Sequence, residues 1–279
     1  MLSSQRDCAT PYVIADQLIA QIVVCLQQMP QHELHSLTLA LKVEQQQIIQ
    51  AIEWLQGVGV DIAIHANQVY LAAPLYLLNE PALKRELPCR VFYFQTLDST
   101  NQFMLQKQQH LSSGDLCVAE YQTQGRGRQG KIWTAAYGQS LCFSLFHRMS
   151  IDPAHMSGIS LVIGIAIVDC LSGLGIKDVS LKWPNDVYRH RKKLAGILIE
   201  SHYDDNIDAM TLVIGVGLNL VQPTTEPEFF MADLSDKVNH QGFKHNLVIA
   251  FWHSIQAALN LYEQQGFEFF QQRWHQIDL

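Results

Sequence analysis

The sequence has no Cys-x-x-Cys pair, no apolar run long enough to cross a bilayer, and almost no positive charge among its first 75 residues. Each absence excludes something. Six cysteines stand at 8, 25, 89, 117, 142 and 170, several of them inside apolar runs. That usage suits reduced, buried thiols in a cytoplasmic protein and argues against a disulfide framework. Histidines are numerous, yet His32/His35 and His240/His245 have no further ligands at metal spacing, so no metal site is expected. The longest apolar run, residues 159–168, is too short for a membrane span and reads as a buried helix. The polar start at residues 1–10 leads into no apolar segment with a small-residue cleavage site, so no secretory signal is expected. Internal repeats and low-complexity tracts are also missing.

What is present is enough for two domains. The chain has 279 residues, 48% of them hydrophobic and 16% charged, which fits a globular protein with a substantial core. Its net charge of −7 makes the surface as a whole a poor match for nucleic acid. Residues 12–29 place apolar side chains at helical spacing, and Pro30 ends the pattern. Residues 34–41 and 45–55 read as two more helices. Residues 60–64 and 68–72 alternate as a small hairpin with Asn67 in the turn. Three helices and a hairpin give a winged helix-turn-helix-like outline for residues 1–75, a pattern that structural domains share. Residues 76–89 read as a connector with one short helix at 82–87.

From residue 90 the texture changes. Strands are expected at 91–94, 116–121, 140–146, 179–183, 194–201 and 211–216. Helices are expected at 99–109, capped by Asp98 or Ser99, at 155–174 and at 243–265. Strands that often follow one another directly, with helices between others, indicate an α+β domain built on one mixed sheet, spanning 90–279.

Four stretches carry chemistry. Gly125-Arg126-Gly127-Arg128-Gln129-Gly130-Lys131 interrupts the apolar pattern after a strand. Glycines there allow the backbone to approach a ligand, and the arginine forks fit a carboxylate or phosphate. Lys182-Trp183-Pro184-Asn185-Asp186 is followed by the basic run Arg191-Lys192-Lys193 and then by Leu194-Ala195-Gly196-Ile197-Leu198-Ile199-Glu200. Asp98-Ser99-Thr100-Asn101 lies upstream and Gly215-Val216-Gly217-Leu218-Asn219 downstream. The ordered set resembles the bacterial biotin–protein ligases, the bifunctional biotin–[acetyl-CoA-carboxylase] ligase/biotin operon repressor family. The resemblance is strong from Leu97 to Asn219 and holds in outline elsewhere.

This resemblance implies a catalytic domain of the biotin/lipoate ligase fold, similar to class II aminoacyl-tRNA synthetases. It implies ATP-dependent, AMP-forming activation of biotin to biotinyl-5′-AMP. Biotin then passes to a lysine of the biotin carboxyl carrier protein of acetyl-CoA carboxylase. ATP brings Mg2+, held mostly by phosphate and water. A homodimer is compatible with the family. A lipoate or octanoyl ligase shares the fold, but the Gly-Arg-Gly-Arg loop and the Lys-Trp-Pro-Asn-Asp stretch point to biotin.

By the same resemblance, Lys193 meets the biotin carboxylate and the phosphate; the match to Lys-Leu-Ala-Gly selects it over Lys192. Arg128 retains the acyl-adenylate, and the backbone of Arg126, Gly127 and Arg128 lines biotin. Ser99, Thr100, Asn101 and Gln122 meet the ureido ring, whose two N–H donors and one carbonyl suit short hydroxyl and amide groups. Ser99 would also serve as a helix cap. Asp186 is expected to orient Lys193 or a metal-bound phosphate. Trp133, Lys182, Asn185 and Asn219 are assigned to the nucleotide, although Trp133 reads equally well as a core tryptophan.

Two departures from the family stand out. Its bacterial members usually continue into a small SH3-like β domain, and the expectation here is a chain without it. The first 75 residues carry only Arg6 and Lys42 against Asp7, Asp16, Glu33, Glu44, Glu53 and Asp61. DNA binding draws heavily on phosphate neutralisation, so this balance argues for the enzyme and against the repressor. Titration of a fluorescent palindromic biotin-operator duplex, with biotin and ATP present, should show no sequence-specific binding at nanomolar protein near physiological salt. Specific binding that survives that salt would restore the repressor role.

Overall fold

The structure is a computed structural model that describes residues 12–73, 75–150, 156, 158–205, 208–221, 231–238 and 242–279. Arg6, Asp7, Cys8 and His240, named above, and residue 155, where the helix over 155–174 is expected to begin, lie outside the described residues. The chain divides into two units, Met1–Leu75 and Tyr76–Leu279.

In the first unit, α1 (Tyr12–Gln28) stops short of Pro30, which has no N–H to continue it. Its buried residues Ile19, Ile22, Val23 and Leu26 recur at helical spacing. A short strand β1 (Gln31–Glu33) leads into α2 (Leu34–Leu41), and Lys42 ends α2 in the left-handed region. Helix α3 (Gln45–Gly57) follows, and the Gln47 side chain accepts from the Glu44 N–H at 2.9 Å. That glutamine is thus engaged in starting its own helix. Strands β2 (Ile62–His65) and β3 (Gln68–Leu71) form the expected hairpin. Both turn residues, Ala66 and Asn67, have positive φ, which matches the twist of a two-residue hairpin. The sheet order is β1-β3-β2. Strand β1 is not apparent in the sequence because it is only three residues long and exists through its pairing with β3.

The second unit opens with α4 (Glu80–Glu86), capped by Asn79, whose side chain accepts from Ala82 N at 3.0 Å. Then come β4 (Val91–Leu97), α5 (Thr100–Lys107), β5 (Leu116–Gln122), β6 (Ser140–Met149) and α6 (Ile159–Gly173). They are followed by β7 (Val179–Lys182), β8 (Asp186–Arg189), β9 (Lys192–Asp204), β10 (Ala209–Asn219), α7 (Gly242–Gln265) and α8 (Glu268–Ile277). The seven strands are ordered β4-β5-β6-β10-β9-β8-β7. Only β4 and β5 run parallel, so the sheet is mixed, as the α+β reading requires. Strand β8 and helix α8 went unseen in the sequence. The basic run starts in a tight turn, with His190 and Arg191 both at positive φ, and its two lysines open β9.

Helices α6 and α7 cover one face of the sheet. Helix α6 is apolar all round and buried along most of its length, as a helix with partners on every side must be. On the other face, α5 packs Met104 against Cys117, Phe146 and Val213.

The α7 side of the sheet holds a buried ion pair. Lys244 Nζ lies 2.5 Å from Glu120 Oε2, and neither side chain is exposed. Glu120 Oε1 also accepts from Leu78 N at 2.7 Å and from the Tyr93 hydroxyl at 3.2 Å. Such a pair is tolerable only with further hydrogen bonds around it, and the carboxylate has two of them. Burial, and then the Glu120 carboxylate beside it, hold the Tyr93 hydroxyl well above the usual tyrosine range.

His147 on β6 is different. It is 4% exposed, and neither ring nitrogen has a hydrogen-bond partner among the described residues. Burial pushes its pKa down from an ordinary 6.5 to about 4. Between those values the unfolded chain binds a proton that the folded chain does not, so stability should fall as pH drops through that window. Denaturant midpoints measured from pH 7 to pH 4.5 should decline more steeply for the parent than for His147→Leu. The lost stability should be on the order of 2–3 kcal/mol. Parallel profiles would show that His147 is not a buried neutral group.

Candidate functional site

Side-chain alternation and strand register build the floor of the site. Gly196 pairs with Gly217, Leu198 with Gly215 and Glu200 with Val213 across β9 and β10. Cys142, Ser144 and Phe146 of β6 stand opposite Gly217, Gly215 and Val213. Phe146 and Val213 are covered by α5. At the start of α5, glycines replace side chains, and a cavity of about 450 Å³ opens above the sheet.

The glycines are required by what lies on them. A Cβ at Gly215 would sit 2.2 Å from Asn101 Oδ1, and one at Gly217 would sit 2.4 Å from Trp133 Cε2. The Trp133 ring also reaches Gly196, so the indole lies flat over a cross-strand glycine pair. Because Gly215 and Gly217 are two residues apart, the Asn101 end and the Trp133 end of the floor are separated by about 7 Å.

The Asn101 end is neutral and polar. Ser99, Thr100 and Asn101, at the start of α5, are all buried. Ser99 caps the helix, accepting from Gln102 N at 3.5 Å. Gln122 Oε1 accepts from both Thr100 N at 2.8 Å and Thr100 Oγ1 at 3.0 Å. Ser144 Oγ lies 2.8 Å from Thr100 Oγ1 and 2.5 Å from Asn101 Oδ1.

The Trp133 end is charged. Lys193 Nζ lies 2.8 Å from Asp186 Oδ1 and 5.8 Å from the centroid of the Trp133 ring. Lys192 beside it is exposed, so the strand directs only Lys193 into the cavity. The glycine–arginine segment folds back on itself: Gly127 N donates to Lys131 O at 2.7 Å and Trp133 N to Gly125 O at 2.9 Å. From this loop the Arg128 guanidinium reaches Asn185 Oδ1 at 3.2 Å. Asn185 is itself anchored through Nδ2 to Ile197 O at 2.8 Å. Arg126, which pairs with Glu200 at 2.7 Å, Arg128, Lys131 and Lys193 line the cavity, and Asp186 is the one carboxylate among its described lining residues. The site therefore favours an anion at this end. Ile132 and Trp183, 80% and 66% exposed, form apolar points on its rim.

The structure thus brings together Ser99, Thr100, Asn101, Gln122, Arg126, Gly127, Arg128, Trp133, Asn185, Asp186 and Lys193. It does not bring Lys182 or Asn219 to the cavity lining. Lys182 turns to Tyr188, its Nζ 5.0 Å from the ring centroid. The buried Asn219 amide donates to Ala232 O at 3.1 Å. Ser144 and Glu200 were missed by sequence reasoning, since only strand register shows that they share the face of Gly196, Gly215 and Gly217. Burial pushes the Cys142 thiol, under the indole, up to about 11, so it stays protonated near neutral pH and is no nucleophile. Among the described residues no group of three or more His, Cys, Asp or Glu is placed to hold a metal ion. No helix among them is long and apolar enough to cross a membrane.

Comparison with known proteins follows from this geometry. Residues 91–219 match the biotin/lipoate A/B protein ligase family. The chain is 36% identical over 240 residues to the bifunctional ligase/repressor BirA of Escherichia coli, covering 81% of this chain and 72% of that one. It is 38% identical over 117 residues to the biotin–[acetyl-CoA-carboxylase] ligase of Mycobacterium tuberculosis, covering 40% of this chain and 42% of that one. Among solved structures, the biotin protein ligase from Aquifex aeolicus in complex with biotin and ATP superimposes with a TM-score of 0.57 at 26% identity. That match covers 68% of this chain and 78% of the other.

The stacked indole makes a direct prediction. In Gly217→Ala the new methyl occupies the ring's place, so Trp133 should be displaced toward solvent. Overpacking of this kind costs about 1–3 kcal/mol. Tryptophan emission should shift to the red relative to the parent, and the shift should vanish when the substitution is made in a Trp133→Phe background. An unchanged emission spectrum in Gly217→Ala would refute the close packing.

Proposed function

The chain belongs to the biotin/lipoate A/B protein ligase family, and from that premise we propose that it is a biotin–protein ligase. It activates biotin with ATP to biotinyl-5′-AMP and transfers biotin to a lysine of the biotin carboxyl carrier protein of acetyl-CoA carboxylase. One observation carries the reading: a single cavity has a neutral hydrogen-bonding end and a cationic end, joined by a floor without side chains. Biotin has matching ends, a ureido ring and a carboxylate.

The ureido ring belongs with Ser99, Thr100, Asn101 and Gln122, whose hydroxyl and amide groups supply both donors and acceptors. The carboxylate then points toward Lys193. In the first step a carboxylate oxygen attacks the α-phosphorus of ATP, an acyl–phosphate bond forms, and pyrophosphate leaves. The two reactants repel, and the Lys193 ammonium offsets that repulsion while charge builds on the phosphoryl oxygens. Asp186, 2.8 Å away, holds the lysine in place. Arg128, Arg126 and the loop backbone close over the product, excluding water from the mixed anhydride. In the second step an acceptor lysine amine attacks the acyl carbon, and AMP leaves.

Trp133 and Asn185 are the nucleotide contacts that this placement favours, since Lys182 and Asn219 are engaged elsewhere. Asp186 is the one carboxylate among the described residues that line the cavity, and it is paired with Lys193. Mg2+ fits here as part of the nucleotide, shielding phosphate charge. The repressor activity named for the Escherichia coli relative is not carried over, because the first 75 residues hold two cations against six carboxylates.

The reading is tested by incubation with biotin, Mg-ATP and a carrier domain, followed by intact mass. Lys193→Ala should lower biotinyl-AMP formation, followed by pyrophosphate release, by about a hundredfold to a thousandfold. Arg128→Gly should still form the intermediate but release it, so that bystander lysines become labelled. Normal adenylation by Lys193→Ala, or tight retention by Arg128→Gly, would show that the two cations do not divide the work in this way.

A further inference from the structure

Glu200 is assigned no role by the motifs, yet it touches both the start of α5 and the glycine–arginine loop. It lies on β9 in the file of Gly196 and Leu198, one repeat beyond the cavity floor, opposite Val213. Its side chain is 22% exposed. Oε2 accepts from Asn101 Nδ2 at 2.9 Å, and Oε1 meets Arg126 Nη2 at 2.7 Å. Asn101 is 99 residues away in the chain and Arg126 is 74. A carboxylate that merely solvated a strand would have no reason to bridge two such distant segments, one oxygen to each.

Each contact has a consequence. Together with Leu198 O at 3.3 Å, Glu200 takes the Asn101 N–H groups and fixes which way that amide faces, leaving Asn101 Oδ1 toward Ser144 Oγ at 2.5 Å. Asn101 cannot move aside to another rotamer at low cost, because its amide packs directly on the Gly215 backbone. By holding the Arg126 guanidinium, Glu200 sets where the glycine–arginine loop leaves the sheet. Gln102 Oε1 accepts the other nitrogen, Arg126 Nη1, at 2.8 Å, so the arginine is braced from α5 as well. The loop then delivers Arg128 to Asn185. The segment that binds one end of the ligand and the loop that covers it are therefore fastened to one carboxylate.

We propose that Glu200 is a positioning residue that couples the ureido end of the site to closure of the arginine loop. This rests on the biotin–ligase reading for the identity of the ligand but not for the existence of the clamp. Loss of the carboxylate should loosen the loop, so that biotinyl-AMP escapes, without removing the charge that Lys193 supplies to the chemical step.

Glutamine separates the two contacts. Its single oxygen can still accept from Asn101, whereas its amide nitrogen would present donors to the arginine donors. Alanine removes both contacts. The experiment compares the full chain with Glu200→Gln and Glu200→Ala in three measurements. Limited trypsin digestion at Arg126, Arg128 and Lys131 reports on the loop and needs no ligand. Steady-state pyrophosphate release with saturating acceptor, where escape of the adenylate does not limit turnover, reports KM for biotin and kcat. Release of biotinyl-AMP without acceptor reports retention.

For a half-exposed ion pair, loop cleavage and adenylate release should each rise about three- to tenfold in Glu200→Gln. Its KM for biotin and its kcat should stay within about twofold of the parent. Glu200→Ala should show the same loosened loop and in addition a raised KM. Melting temperatures identify any general loss of fold, and Glu200→Gln carries the test if Glu200→Ala is unstable. Cleavage and retention in Glu200→Gln equal to the parent's would overturn the proposal. If the parent forms no biotinyl-AMP, the biotin reading fails, and the digestion rates still decide whether Glu200 clamps the loop.

Discussion

The site depends on a strip of sheet without side chains. At Gly215 and Gly217 any Cβ would collide with Asn101 or with the Trp133 ring, the closest contacts falling at 2.2 and 2.4 Å. Protein interiors are close-packed, so such a strip persists only if other elements lie directly on the backbone. Here α5 supplies Asn101 and the glycine–arginine loop supplies Trp133. The same contacts that fill the strip position the polar end and the charged end of the cavity. A larger residue at Gly215 would displace Asn101, and one at Gly217 would displace the Trp133 ring, so each end of the cavity depends on its own glycine.

Charge is distributed along this strip with a consistent logic. Lys193 is paired with Asp186 at 2.8 Å and Arg126 with Glu200 at 2.7 Å, whereas Arg128 is held by the neutral Asn185. Paired cations keep a fixed place, since moving them would strand a carboxylate. A cation held by a neutral amide is freer to turn toward an incoming anion, because that hydrogen bond is the weaker kind. The arrangement gives a fixed charge at Lys193 and a more mobile one at Arg128.

Away from the cavity, the interior carries two polar features with opposite character. Glu120 and Lys244 are completely enclosed, but the carboxylate has its ammonium, a backbone N–H and a tyrosine hydroxyl. The network ties β5, α7 and the segment before α4 to one point, and β5 leads straight into Gln122 and the arginine loop. His147 is enclosed with both ring nitrogens unpartnered among the described residues, and its pKa is pushed down to about 4. The first feature holds the sheet and α7 together; the second makes the same domain sensitive to acid.

What the sequence determined by itself is local and periodic. Apolar spacing marked α1, α3, α6 and α7, Pro30 marked the end of α1, and Asn67 marked a hairpin, because each signal lies within one element and its neighbours. The residue types of the glycine–arginine loop, Lys193 and the Ser99–Asn101 segment indicated anion and amide recognition for the same reason. What only the tertiary structure decided is register and reach. Strand β1 exists through β3, β8 through β9, and neither carries enough residues to announce itself. Lys182 and Asn219 sit in motifs that belong to the site, yet one stacks on Tyr188 and the other bonds to Ala232 O. Ser144 and Glu200 acquire their places only when β6, β10 and β9 are aligned residue by residue. Side-chain direction along a strand has a period of two, but which neighbour it meets depends on a partner strand that the linear sequence does not display.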